Sequence, residues 1–122
     1  NEARRQVYEE RAQPLRQALE ANPDDPGMLN DLAWLLATCP VEGVADPREA
    51  LKLAERAERL TRGDNYSVLD TLGAAYAASG NMKRAADAVR KAIKKAESSG
   101  MSTDPLMARL KLYESGKPFR EL

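Results

Sequence analysis

The chain has 122 residues, enough for one domain with a modest core. Its 19 basic and 19 acidic residues cancel, which removes any global attraction to nucleic acid or to an anionic membrane surface. With no histidine and one cysteine, Cys39, an internal disulfide and any Ser–His–Asp or Cys–His arrangement are excluded, and a zinc site is disfavoured.

Alanine and leucine dominate the apolar residues, with one Phe and one Trp in the chain. That choice favours helix over strand and points to an all-α fold. In chain order, Tyr8, Ala12, Leu15 and Leu19 fall on one stripe and predict a helix up to Ala21, with Pro14 expected to kink it or delay its start. Asp25-Pro26 reads as an N-cap followed by proline, opening a second helix that carries Met28, Leu29, Leu32, Leu35 and Leu36 and stops before Pro40. Asp46-Pro47 repeats the signal, with Glu49 placed to close a capping box ahead of Ala50, Leu53, Ala54, Ala57 and Leu60. A fourth helix is predicted from about Ser67 to Ser79, ending at Gly80. A fifth follows the cap Asn81 to about Ser98, and a sixth opens at Asp104-Pro105 and carries Leu106, Leu110 and Tyr113 before Gly116 and Pro118. Only the connection from Thr38 to Asp46 is long.

No apolar run approaches the roughly 20 residues of a membrane span, so no membrane insertion is expected. The charged start Asn1-Glu2-Ala3-Arg4-Arg5 does not read as a signal peptide, and the missing initial Met suggests a piece of a longer protein. Localisation stays open, with a slight lean to the cytoplasm from the lone thiol.

Two helix pairs echo each other. Leu69, Leu72, Gly73 and Tyr76 precede Ala85, Val89 and Ala92, just as Leu29, Leu32, Ala33 and Leu36 precede Ala50, Ala54 and Ala57. Ala50 to Ala85 and Ala57 to Ala92 are each 35 residues apart, whereas Leu32 to Leu72 is 40, because the first pair carries five extra residues between its helices. Gly73 against Ala85, and Ala33 against Ala50, put small residues where two helices of a hairpin cross. A hairpin of this kind cannot bury both faces alone and needs neighbours.

This pattern resembles the tetratricopeptide repeat, with its x2-Leu-Gly-x2-Tyr and later Ala-x3-Phe positions over about 34 residues. Residues 66–99 resemble one repeat, with Leu69 for Trp and Val89 for Phe. Residues 26–64 resemble a second, with Ala33 for Gly and an inserted loop at 39–46. Residues 1–23 resemble the end of a preceding repeat, 105–115 the helix that closes such arrays, and 116–122 a tail. The resemblance implies one right-handed α-solenoid fragment over 1–122, two hairpins with flanking helices. The segments Leu32-Ala33-Trp34-Leu35-Leu36-Ala37-Thr38-Cys39-Pro40 and Tyr113-Glu114-Ser115-Gly116-Lys117-Pro118-Phe119-Arg120 also look like C-terminal repeat segments of larger bacterial proteins.

The residues themselves offer little chemistry. The glycines lie singly at helix ends, without a phosphate loop. Asp24-Asp25 sits at a helix start, where acids suit the dipole. Cys39 has no cationic neighbour in sequence and reads as a packed thiol. Lys83, Arg84, Arg90, Lys91, Lys94 and Lys95 make the fifth helix basic, but without interleaved aromatics this reads as a solvated face and not as a nucleic-acid surface. No catalytic residue, cofactor site or metal site is expected, and the chain is not expected to be an enzyme.

The resemblance implies a protein or peptide partner held on the concave side, which the first helix of each pair would line. By alignment those positions are Asn30, Asp31, Trp34 and Thr38, then Asp70, Thr71, Ala74, Ala77 and Ala78. Acids and small residues there do not suit the Lys, Arg and Asn clamp with which relatives hold a terminal carboxylate. An apolar ligand with some positive charge fits better. Trp34 stands either in that groove or packed against the loop 39–46 or the first helix. Two other roles are open: an oligomerisation or scaffold element, and an accessory segment that positions substrates for an upstream enzyme domain. The array begins in mid-repeat, so the stripe of Tyr8, Leu15 and Leu19 is expected to lack a partner and to drive weak self-association.

Overall fold

The first turn of each helix leaves backbone N–H groups without partners, and short polar side chains supply them at five of six starts. Asn1 Oδ1 accepts from Arg4 N at 3.0 Å and opens α1 (Glu2–Ala21). Asp25 Oδ1 accepts from Gly27 N and Met28 N at 3.0 and 3.2 Å and opens α2 (Pro26–Thr38). Asp46, Asn65 and Asn81 do the same for α3 (Pro47–Thr61), α4 (Tyr66–Ala78) and α5 (Met82–Ser98). The start of α6 (Asp104–Glu114) differs: Asp104 is already helical, and Thr103 caps without a side-chain hydrogen bond.

These six helices come from a computed structural model that describes residues 1–121, and no strand occurs among the described residues. The all-α expectation holds, with helix limits close to those read from the capping and stop residues. Two local expectations do not hold. α1 already begins at Glu2 and continues through Pro14, so the start is not delayed. Glu49 does not close a capping box. Its carboxylate instead takes the Arg16 guanidinium in two parallel hydrogen bonds of 2.8 and 3.0 Å, which tie α3 to α1.

The helices pack in chain order, α2 on α3 and α4 on α5 most extensively, with α3 on α4, α5 on α6 and α1 on α2. α2 also lies against α4, so the first helices of the two hairpins are neighbours. Small residues line the hairpin crossings. A Cβ on Gly73 would stand 2.7 Å from Val89 Cγ2 and 3.2 Å from the Ala85 carbonyl oxygen, so only hydrogen fits there. Ala33, Ala50 and Ala54 are fully buried in the other pair.

The core forms in sections. Leu32, Leu36, Ala50 and Leu72 gather with Tyr8 and Ala12 of α1, while Leu69, Ala85, Val89 and Ala92 gather with Leu106 and Tyr113 of α6. The apolar stripe of α1 is therefore covered, contrary to expectation: Tyr8 and Ala12 are buried, and Leu15 and Leu19 pack against the core. The chain supplies its own cover, from α2 and from the segment after α6. The long 39–46 loop is also anchored, by Val44 in the core, by Asp46 N donating to the Leu36 carbonyl at 3.1 Å, and by Val41 N donating to Cys39 Sγ at 3.4 Å.

Candidate functional site

Three helices and a tail converge on the exposed side of α2. From α2 come Asn30, Asp31 and Trp34; from α4 come Ser67, Asp70 and Thr71; from α6 comes Arg109; and from α1 come Arg11 and Leu15. Together they line an open cavity of about 550 Å³.

One side of it is closed by a layered arrangement. Arg109 donates Nε and Nη2 to the two oxygens of Asp70 at 2.8 and 2.6 Å, and both side chains are largely buried. Its guanidinium carbon stands 5.2 Å from the ring centre of Trp34 and 5.2 Å from that of Phe119. The two rings lie 5.6 Å apart with a tilt of 38°. Cation and rings thus share one partly dry stack. Burial pushes the Asp70 carboxyl pKa up, and the Arg109 hydrogen bond and charge pull it part of the way back. Tyr113, buried beside this pair, has its hydroxyl pushed well above the ordinary tyrosine range, first by burial and then by the Asp70 charge. Its hydroxyl has no hydrogen-bond partner among the described residues.

The other side of the cavity is polar and open. Asn30 Nδ2 donates to Ser67 Oγ at 3.3 Å, leaving Asn30 Oδ1 buried and without a partner among the described residues. Asp31 is exposed and makes no hydrogen bond or ion pair among the described residues.

After α6 the chain turns at Gly116, whose φ of 77° suits glycine, and runs back across the end of α2. Arg120 Nη1 donates to the Ala37 carbonyl at 3.1 Å and Glu121 N to the Thr38 carbonyl at 2.8 Å. The Glu121 carboxylate accepts from Arg11 at 3.1 Å.

Of the residues expected to line the concave side, Asn30, Asp31, Trp34, Asp70 and Thr71 border this cavity. Thr38, Ala74 and Ala77 do not. Thr38 is buried, its hydroxyl donating to the Trp34 carbonyl at 2.8 Å. Ala74 is inside the core section of Leu32 and Leu36, and Ala77 is in the section completed by Leu106 and Tyr113, because α6 covers that part of α4. Ala78 borders a separate hollow beside Asp46, Leu51 and Lys52. Trp34 packs on Phe119 and Arg109, and also lies against the core section that includes Tyr8 and Ala12 of α1 and Val44 of the loop. Sequence reasoning missed Arg11, Arg109, Phe119, Arg120 and Glu121. The one available signal was a sole Phe in a charged tail behind Gly116 and Pro118.

The basic residues of α5 are partly engaged on the surface. Arg90 pairs with Asp87 and Glu114, and Lys95 with Asp64. No group of residues able to hold a metal ion, and no helix long and apolar enough to cross a membrane, occurs among the described residues. No family model, curated protein or solved structure matches this chain.

Proposed function

We propose that the chain is an interaction module of the tetratricopeptide type, not an enzyme, and that it binds an apolar peptide with positive charge through the cavity beside Trp34. One observation carries the reading. The open wall of that cavity presents the exposed carboxylate of Asp31, which has no ion-pair partner among the described residues, next to the Trp34 ring. A positively charged ligand group is favoured beside this unpaired carboxylate. The nearby arginines do not cancel this preference, since Arg109 is held by Asp70 and Arg11 by Glu121. The side-by-side placement of α2 and α4 supports the repeat reading, as does the contact of Gly73 with the α5 backbone.

The test is a fluorescence titration on Trp34, the sole tryptophan, with short peptides matched in apolar content but differing in charge. Basic peptides should shift its emission at concentrations at least about tenfold below acidic ones, a gap of about 1.4 kcal/mol. Asp31→Asn should narrow that gap. Equal affinities, or no response from any peptide, would sink the reading.

A further inference from the structure

The last four carbonyls of an α-helix have no N–H within the helix to accept from. At the end of α2 all four find partners. The Leu35 carbonyl accepts from Cys39 N at 3.0 Å and that of Leu36 from Asp46 N at 3.1 Å, both supplied by the adjoining loop. Those of Ala37 and Thr38 are served from the far end of the chain, by Arg120 Nη1 at 3.1 Å and Glu121 N at 2.8 Å. The partial negative charge of a helix C-terminus favours a guanidinium in that place. One residue earlier in the tail, Phe119 covers Trp34 and the Arg109 plane.

The segment is thus held in the way an extended ligand is held. Its ring enters an aromatic and cationic stack, its next side chain reaches a helix end, and a main-chain N–H completes the alignment. The Phe119 and Arg120 side chains carry the discrimination. The Glu121 N–H is common to nearly every residue type, and the Glu121–Arg11 pair is half exposed and worth little.

We propose that the end of α2, with Trp34 and Arg109, recognises an extended polypeptide segment carrying an aromatic residue followed directly by arginine, and that residues 117–121 occupy this site in cis as a displaceable self-ligand. This rests on the reading of the concave side as a binding surface, but not on the cavity's preference for positive charge. The cis segment hangs on a short tether behind Gly116, so its effective concentration is on the order of millimolar. A competing segment therefore binds only in proportion to the time the site stands open. Weakening the cis contacts should raise the apparent affinity for the same segment added from outside.

The experiment uses the full chain and a synthetic peptide spanning Ser115 to Glu121 as the probe. Phe119→Ala should red-shift Trp34 emission, and the variant should bind the peptide up to about tenfold more tightly than the parent, as expected when cis occupancy falls from about nine-tenths. Arg120→Ala leaves the ring stack in place and should change affinity in the same direction, so it carries the test if Phe119→Ala lowers the melting temperature too far. A control peptide with alanine in place of both Phe119 and Arg120 should not bind. Equal affinity of both variants and the parent for the probe, or equal binding of probe and control, overturns the proposal. Asp31→Asn separates the two readings: it should leave binding of this peptide unchanged while narrowing the charge preference at the cavity.

Discussion

Arg109 and Asp70 form a bidentate ion pair, 2.8 and 2.6 Å, between the last helix and the first helix of the second hairpin. Side-chain exposures of 14% and 13% put both charges in a setting where losing one partner strands the other. Asp70→Ala should therefore cost about 3 kcal/mol, much of it the burden of an uncompensated guanidinium. Replacing both residues by apolar ones should restore a large part of that loss. Urea melts of the single and double variants read this directly, and a single variant within about 0.5 kcal/mol of the parent would show the pair to be idle.

Gly73 sits at a close crossing of α4 and α5. Since a Cβ there would meet Val89 Cγ2 at 2.7 Å, Gly73→Leu should cost at least about 2 kcal/mol by forcing α4 from α5. A thermal melt within a degree or two of the parent would contradict this packing.

Two aspartates should titrate on opposite sides of the ordinary value of about 3.9. Asp70 is raised, chiefly by burial, so the folded chain holds its proton more tightly than the unfolded chain does. Its titration therefore favours folding below the ordinary aspartate pKa, and that contribution is lost as pH rises through the raised value. Asp64 is lowered by the Lys95 hydrogen bond, so its contribution is present above the ordinary value and lost as pH falls through the lowered one. Carboxyl-carbon NMR titration should find both shifts. Added salt should return Asp64, which is exposed, toward its ordinary value while moving Asp70 little.

Local physics made the helices legible. Asp25, Asp46 and Asn81 cap because their side chains reach the N–H groups two or three residues ahead, and Gly80 and Gly100 stop helices through their left-handed backbone. The spacing of Leu32, Leu36, Leu69 and Leu72, and the small residues Ala33 and Gly73, likewise followed from a period of 3.6. Those signals act over a few residues and survive without knowledge of the fold.

The candidate site was decided by tertiary structure, because its contacts join residues far apart in the chain. Glu49 stands where a capping box would form, but the N–H it would reach, that of Asp46, donates to the Leu36 carbonyl, and its carboxylate takes the Arg16 guanidinium in a bidentate pair. Nothing near Trp34 in sequence announces Arg109 or Phe119, and nothing near Ala37 announces Arg120. Ala74 and Ala77 had the right small size for a groove but were covered, Ala74 within the section of Leu32 and Leu36 and Ala77 beside Leu106 and Tyr113 of α6, a placement that depends on the summed packing of the helices. Periodicity says which side of a helix is apolar; only the folded chain says what lies against it.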